Sequence, residues 1–147
     1  SLDSDKYHYK LEWLEALKQH LKSFDMQKES VVLMGDFNIA PKDQDVHDPE
    51  LWCDKILVSQ PERAVYASIC EQGMIDSYRQ HHPSQAGFSW WDYRQAAWRR
   101  DRGLRIDLIF ASQALWPRCL STDVHRSVRG GQRPSDHVPV VIEIDNG

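Results

Sequence analysis

Cysteine is scarce in this chain: Cys53, Cys70 and Cys119 are the only three among 147 residues. An odd count without C-x-x-C spacing argues against a disulfide framework and against a thiolate zinc site. The three are read as buried or incidental thiols. Long hydrophobic runs are also missing. No stretch approaches the ~18 consecutive apolar residues of a spanning helix, and the opening SLDSDKYHYK has no apolar centre of the kind a secretion signal needs. A cytoplasmic location with no membrane partner is the expectation. Positive charge is not in excess either, because the formal net charge is -4, so the total does not announce a nucleic-acid partner. Repeats, linkers and low-complexity tracts are absent, which fits one domain over residues 1–147.

The distribution of charge says more than its sum. Arg94, Arg99, Arg100, Arg102 and Arg105 crowd one segment, and Arg126, Arg129 and Arg133 form a second group. Such loops either neutralise phosphates or are simply solvated. Leu11, Leu14, Leu17, Leu21 and Phe24 recur at three- and four-residue steps, predicting an amphipathic helix over 7–24 with Trp13 on its stripe. VVLMG (31–35) reads as a buried strand emptying into an Asp- and Pro-rich loop over 36–60, with a helical turn around 52–58. A helix over 62–72 closes at Gly73, and MIDSY reads as a brief strand or turn. GFSWWDYR (87–94), LRIDLIFAS (104–112) and VPVVIEI (138–144) read as further strands, with a short helix or turn near Pro117. Helix, strand, helix and more strands predict a layered α/β arrangement.

Polar groups sit where these strands meet loops: Asp36 and Asn38 in GDFN, Trp90, Asp92 and Tyr93 in FSWWDYR, Asp107 in RID, and Asp136 and His137 in SDH. Phosphodiester hydrolysis needs such a set, namely a carboxylate or base for the water and charge to meet the phosphate oxygens. On an extended stretch Asp36 and Asn38 would share one face; the competing reading is an Asx-capped turn. If the strands bearing Asp107 and His137 pair, Asp107 can hold the imidazole tautomer and leave the other nitrogen for a phosphate. Carboxylate oxygen at Asp136 suits Mg²⁺. Trp90 is either a stacking surface or packing, and His81-His82 before Pro83 reads as an exposed turn.

In order, VVLMGDFNIAP, GFSWWDYR, RGLRIDLIFAS and PSDHVPV resemble the endonuclease/exonuclease/phosphatase superfamily, and within it the exonuclease III branch of apurinic/apyrimidinic endonucleases. Asp107 follows Trp90 by 17 positions and Asp136 follows Asp107 by 29. The resemblance runs over essentially the whole chain. It implies half of a four-layer α/β sandwich, with a mixed, mainly antiparallel sheet and flanking helices, residues 1–147 being the C-terminal portion. It implies that Asp36 orients or activates water, Asn38 bonds the phosphate, and His137 held by Asp107 contacts the phosphate. Metal ligation by Asp136, with Asp36 and Asn38, would hold Mg²⁺ or Mn²⁺. Trp90, Leu104 and Ile106 match a pocket for an extruded abasic sugar, and Trp91, Tyr93, Arg94 and the arginines of 99–105 (Arg99, Arg100, Arg102 and Arg105) would flank DNA.

The family's other motifs, including a strand-borne Asn and the main metal-binding Glu, have no counterpart here, so the resemblance implies a chain that is a poor catalyst by itself. Its partners would be double-stranded DNA with abasic sites or 3′ ends, and either the N-terminal half or a second copy covering an exposed sheet face. The competing readings are a catalytically dead DNA-binding or assembly module, and a phosphoesterase of another branch acting on lipids or phosphoinositides.

Overall fold

The computed structural model describes all 147 residues. Helix α1 spans Asp5–Leu21, and the Ser4 side chain accepts the Tyr7 N–H at 3.2 Å, satisfying an open donor of its first turn. Leu14 and Leu21 are buried with Tyr7, as the leucine stripe requires. Trp13 departs from the expectation and is 52% exposed. A step of about 100° per residue carries position 13 off the seam that holds Leu14 and Leu21. After α1 the chain forms strand β1, Val32–Asp36. The short helix α2, Pro49–Trp52, comes earlier than predicted because Asp48 accepts the Leu51 N–H and Pro49 occupies its first turn.

Helix α3, Gln60–Glu71, begins with a reciprocal cap: Ser59 N–H donates to Glu62 Oε2 at 3.0 Å, and Ser59 Oγ receives the Glu62 N–H. It ends before Gly73, whose φ of 96° lies in the left-handed region. Here even an alanine Cβ would come to 2.9 Å from Met26 Cβ. Strand β2, Met74–Asp76, runs directly into helix α4, Ser77–His81. Strand β3 is Asp107–Ser112, β4 is Cys119–Val124 and β5 is Val140–Ile144.

The strands make a three-stranded antiparallel sheet in the order β1-β3-β2 and a two-stranded antiparallel sheet β4-β5. This is the mixed α/β, mainly antiparallel arrangement with flanking helices that the sequence implied. Leu108 and Phe110 of β3 join Leu14, Leu21, Val65 and Ile69 in the main core, so α1 and α3 cover one face of the larger sheet. β1 is an edge strand, and along it Met34 is 58% exposed and Val32 is also open. In register, Asp36 stands opposite Asp107.

Three further segments differ from their predicted form. GFSWWDYR contributes no regular strand; Trp90 alone makes backbone bridges, to Leu104 and to His137. The Ser89 hydroxyl accepts the N–H groups of Ile106 and Asp107, each at 3.1 Å, so a side chain takes donors that a ladder would have used. β4 was not anticipated, because Pro117 and the turn Trp116–Arg118 obscure its short alternation. His81 and His82 are half-buried rather than on an exposed turn, with His81 Nδ1 at 2.9 Å from Thr122 Oγ1 and His82 Nε2 at 2.6 Å from the Thr122 carbonyl oxygen.

A charged cluster is sealed beneath the loops. Arg105 is 1% exposed; its Nη1 and Nη2 donate to the two Asp76 oxygens at 2.9 and 2.7 Å, and its Nε donates to Asp45 Oδ1 at 2.7 Å. Arg79 reaches the same Asp45 oxygen, and Tyr66 donates to Asp76 at 2.8 Å.

Candidate active site

Sheet register brings the first two functional groups together. Asp36 ends β1 and Asp107 begins β3, so antiparallel pairing sets their carboxylates side by side at the mouth of the sheet. His137 arrives from the loop before β5. Its Nδ1 is 2.8 Å from Asp107 Oδ2, and its Nε2 faces Asp36 Oδ2 at 3.8 Å. The expected Asp107–His137 contact is therefore present, although not by pairing of their strands: Trp90 lies between, bridged to Leu104 on one side and His137 on the other.

The electrostatics follow from this packing. Burial works against a charge on His137, but the bond to Asp107 and the charges of Asp107, Asp36 and Asp136 outweigh it and raise its pKa above the ordinary value. Burial also pushes the Asp107 carboxyl up, against the bonds from Ser89 and His137. Both shifts favour a proton on the pair, with one imidazole nitrogen fixed by Asp107 and the other facing Asp36.

Asn38 is close but differently held. Its φ of 50° is left-handed, and its N–H donates to Asp36 Oδ1 at 2.9 Å. GDFN is consequently an Asx turn and not an extended pair sharing a face, although both side chains remain exposed at the same corner. Lys10 of α1 donates to the Asn38 carbonyl and to the buried Glu62, fastening this corner to α1 and α3. Sequence reading missed Lys10, Glu62 and Ser89. The Ser59-x-x-Glu62 capping pattern was visible as a local signal, but no local pattern reveals contacts spanning 28 to 52 positions.

The remaining expected site residues divide. Asp136 is not in the group formed by Asp36, Asp107 and His137, whose ligand atoms all lie within 4.8 Å of one another. Its Oδ2 instead accepts the Trp90 indole N–H at 3.0 Å. Tyr93 and Arg94 are exposed, the former donating to the Pro134 carbonyl at 2.8 Å and the latter paired with Asp92. Three expectations are corrected. Trp91 is 0% exposed, packed with Ala97 and Val138, so it flanks no DNA. Arg105 is consumed by Asp45 and Asp76, because a buried guanidinium needs carboxylate partners. Leu104 and Ile106 are buried against Ala40, Val46 and Val58, leaving Trp90 as the one expected pocket residue with open surface.

In the second arginine group, Arg129 is buried under Trp98 and Tyr93, and Arg126 pairs with Asp101 while lying over Trp98. Arg99, Arg100, Arg102 and Arg133 remain exposed.

An α/β frame presents Asp, Asn and an Asp-held His at one sheet mouth, and the chain belongs to the Endonuclease/Exonuclease/phosphatase family, whose model matches residues 1–137. Its relatives lie in the exonuclease III and AP endonuclease branch. The chain is 34% identical over 145 residues to the exodeoxyribonuclease III of Haemophilus influenzae, covering 94% of this chain and 54% of that protein. Among solved structures it is similar to a 3′ phosphatase from Neisseria bound to a product DNA hairpin, with 42% identity, a TM-score of 0.93, and coverage of 98% of this chain and 56% of that one. An AP endonuclease from Archaeoglobus fulgidus is similar at 36% identity and a TM-score of 0.91, with the same coverage. The chain thus spans a little over half the length of these relatives. No helix is long and apolar enough to cross a membrane.

Proposed function

We propose that this chain supplies the water-orienting and phosphate-contacting part of a divalent-metal-dependent DNA phosphodiesterase active site, serving 3′-to-5′ exonuclease and abasic-site endonuclease chemistry. The observation that carries this is His137, with Nδ1 tied to Asp107 and Nε2 directed at Asp36. An imidazole fixed at one nitrogen presents the other to a phosphate oxygen in a set tautomer or as a cation. Asp36 is exposed and able to orient a water, and the Asn38 side chain is a neutral donor for the phosphate at the same corner.

The donor set fits Mg²⁺ in part. Carboxylate oxygens are the hard ligands this ion prefers, and it needs only one or two of them beside its waters. Asp36 is open for that role and Asp107 is engaged by the imidazole. When bound, the ion supplies charge to meet the developing negative charge on the phosphate. With one free carboxylate at the cluster, and with the chain spanning about half the length of its relatives, the isolated chain is a poor catalyst. The open face of β1 at Val32 and Met34 is where the complementary portion, or a second copy, would pack.

The test is cleavage of an abasic-site duplex and of a 3′-recessed duplex with Mg²⁺, by the chain alone and after adding the complementary portion of a relative. Cleavage that needs both parts and disappears with Asp36→Asn or His137→Gln is the expected result. Equal cleavage by the chain alone would sink the incomplete-site reading. Turnover of a phosphoinositide by the combined parts without any DNA cleavage would move the protein to another branch. Light scattering that shows a monomer at high concentration would exclude the second copy.

A further inference from the structure

The loop that carries Asn38 is held from outside the sheet, and the hold runs through one lysine. Asn38 follows the end of β1 with a left-handed φ of 50°, so its peptide groups lie beyond the ladder. Its N–H donates to Asp36 Oδ1 at 2.9 Å, and its carbonyl oxygen accepts from Lys10 Nζ. Side chains thus engage both backbone polar groups of a residue in a conformation that non-glycine residues seldom adopt.

Lys10 is itself fixed. Its ammonium also donates to Glu62 Oε1, and the Glu62 side chain is fully buried while that of Lys10 keeps 17% of its surface. The other Glu62 oxygen accepts the Ser59 N–H at 3.0 Å and the Ser59 hydroxyl at 2.7 Å. Ser59 gives its one hydroxyl proton to Glu62, so in its 2.7 Å contact with Tyr7 the phenol is the donor. Tyr7 and Lys10 stand three positions apart on one face of α1, and together they straddle the first turn of α3. Arg63, the next residue of α3, donates Nε to the Ala40 carbonyl at 3.1 Å. The first turn of α3 therefore reaches this loop twice, at Asn38 through Lys10 and at Ala40 directly.

Charge explains why a lysine stands here. A sealed carboxylate requires a cation within hydrogen-bond reach. An ammonium has three protons, so one can serve Glu62 while another serves Asn38.

We propose that Lys10, seated on Glu62, is a positioning residue. It holds the Asn38 peptide in its left-handed conformation and so aims the carboxamide at the phosphate, without touching the substrate itself. That the aimed group meets a phosphate rests on the hydrolase reading above; the hold on Asn38 does not.

The first readout needs no activity. A residue at positive φ brings its amide and α protons close together and gives a strong intraresidue cross-peak in the labelled 147-residue chain. Asn38 should show it in the parent, in Lys10→Arg, and in Lys18→Met, which removes a lysine of the same helix whose ion pair is with Glu15. In Lys10→Met the cross-peak should weaken by about twofold or more and the Asn38 carboxamide signals should shift. Because that change strands the Glu62 charge, Lys10→Met, Glu62→Gln is measured beside it; glutamine keeps the Ser59 cap. With its near-ultraviolet dichroism unchanged, the double variant should show the same Asn38 change.

The second readout is cleavage of the abasic-site duplex by the chain with its complementary portion. Misplacing a reacting contact by an ångström costs on the order of 10²-fold, so Lys10→Met should lower kcat by about 10- to 100-fold. KM should stay within about twofold, and Lys10→Arg should restore most of the rate. In an Asn38→Ala background Lys10→Met should cost less than about twofold more, since the two residues act as a unit. Asn38 signals that are the same in the parent and both Met variants, or full additivity with Asn38→Ala, overturn the positioning role. A KM that rises and loses salt dependence in Lys10→Met makes Lys10 a phosphate contact and overturns it as well. If no form of the combined parts cleaves DNA, the hydrolase reading falls alone, and the Asn38 signals decide the role of Lys10.

Discussion

Replacing Arg105 with Ala should unfold the protein at a much lower temperature while touching no surface that meets a ligand. Arg105 makes three charge-assisted hydrogen bonds to Asp45 and Asp76 from a position that is 1% exposed. Removing one partner of a buried ion pair leaves carboxylates buried without a counter-charge, at a cost of about 3–5 kcal/mol. At about 2–4 °C per kcal/mol for a chain of this size, the midpoint should fall by roughly 6–20 °C. Arg105→Lys retains the charge but loses the bidentate fork, so it should fall between the two.

The pH dependence has a defined sign. Burial raises the Asp76 pKa, but Arg105 and Tyr66 overcome it and hold the carboxyl below its ordinary value. A carboxylate with a depressed folded pKa contributes stability above its unfolded value of about 3.9, and that contribution is lost as the pH falls through the folded value. In Arg105→Ala burial acts on Asp76 with only the Tyr66 hydroxyl and the Arg79 N–H left to oppose it. The deficit should therefore be largest near pH 7 and narrow as the pH approaches the carboxylate range. Thermal unfolding followed by circular dichroism at pH 7 and pH 4.5 measures this. A variant melting within about 3 °C of the parent at pH 7, or one losing only DNA binding, would refute the core role.

Other outcomes follow from the site. The pKa of His137, measured by NMR titration, should lie above about 6.5 and fall in Asp107→Asn, since the neutral amide removes the charge that sustains the imidazolium. Because the folded value is raised, the stability His137 contributes should be complete below its unfolded pKa and lost as the pH rises through the folded one; His137→Gln should be more destabilising at pH 5.5 than at pH 8.5. Of the three thiols, exposed Cys53 alone should react with a maleimide in the native protein, and slowly at pH 7 because the Asp54 charge raises its pKa. Mass spectrometry showing early modification of Cys70 or Cys119 would contradict the packing around them.

Local signals made much of this fold legible. The leucine spacing of α1, the Gly73 stop after α3 and the apolar run of β3 all act within a few residues, and each element formed within a few positions of its pattern. Asp36, Asp107 and His137 were also readable as motifs, although the 2.8 Å contact between the latter two depends on Trp90 sitting between their segments. What stayed hidden was the direction in which side chains point from an irregular loop. Arg102 and Arg105 lie three positions apart in one basic segment, yet one is exposed and the other is clamped by Asp45 and Asp76, from 60 and 29 positions away. Charge density along a sequence cannot separate those fates, because the partners are set by tertiary packing. Trp90 and Trp91 divide in the same way, one open beside the site and the other sealed in a tryptophan cluster.

The edge position of β1 ties solubility to chemistry. An exposed apolar edge strand invites pairing with other chains, and proteins blunt that hazard with charge, lysine above all. Here the same strand ends in Asp36, so the places for a protective charge are few. Val32 and Met34 point out from the strand, Met34 the more exposed at 58%, which makes Met34→Lys the natural solubilising change. Moving the charge one position along, to Gly35 with its φ of 155°, would set it next to the functional carboxylate and perturb the field that His137 and Asp107 share.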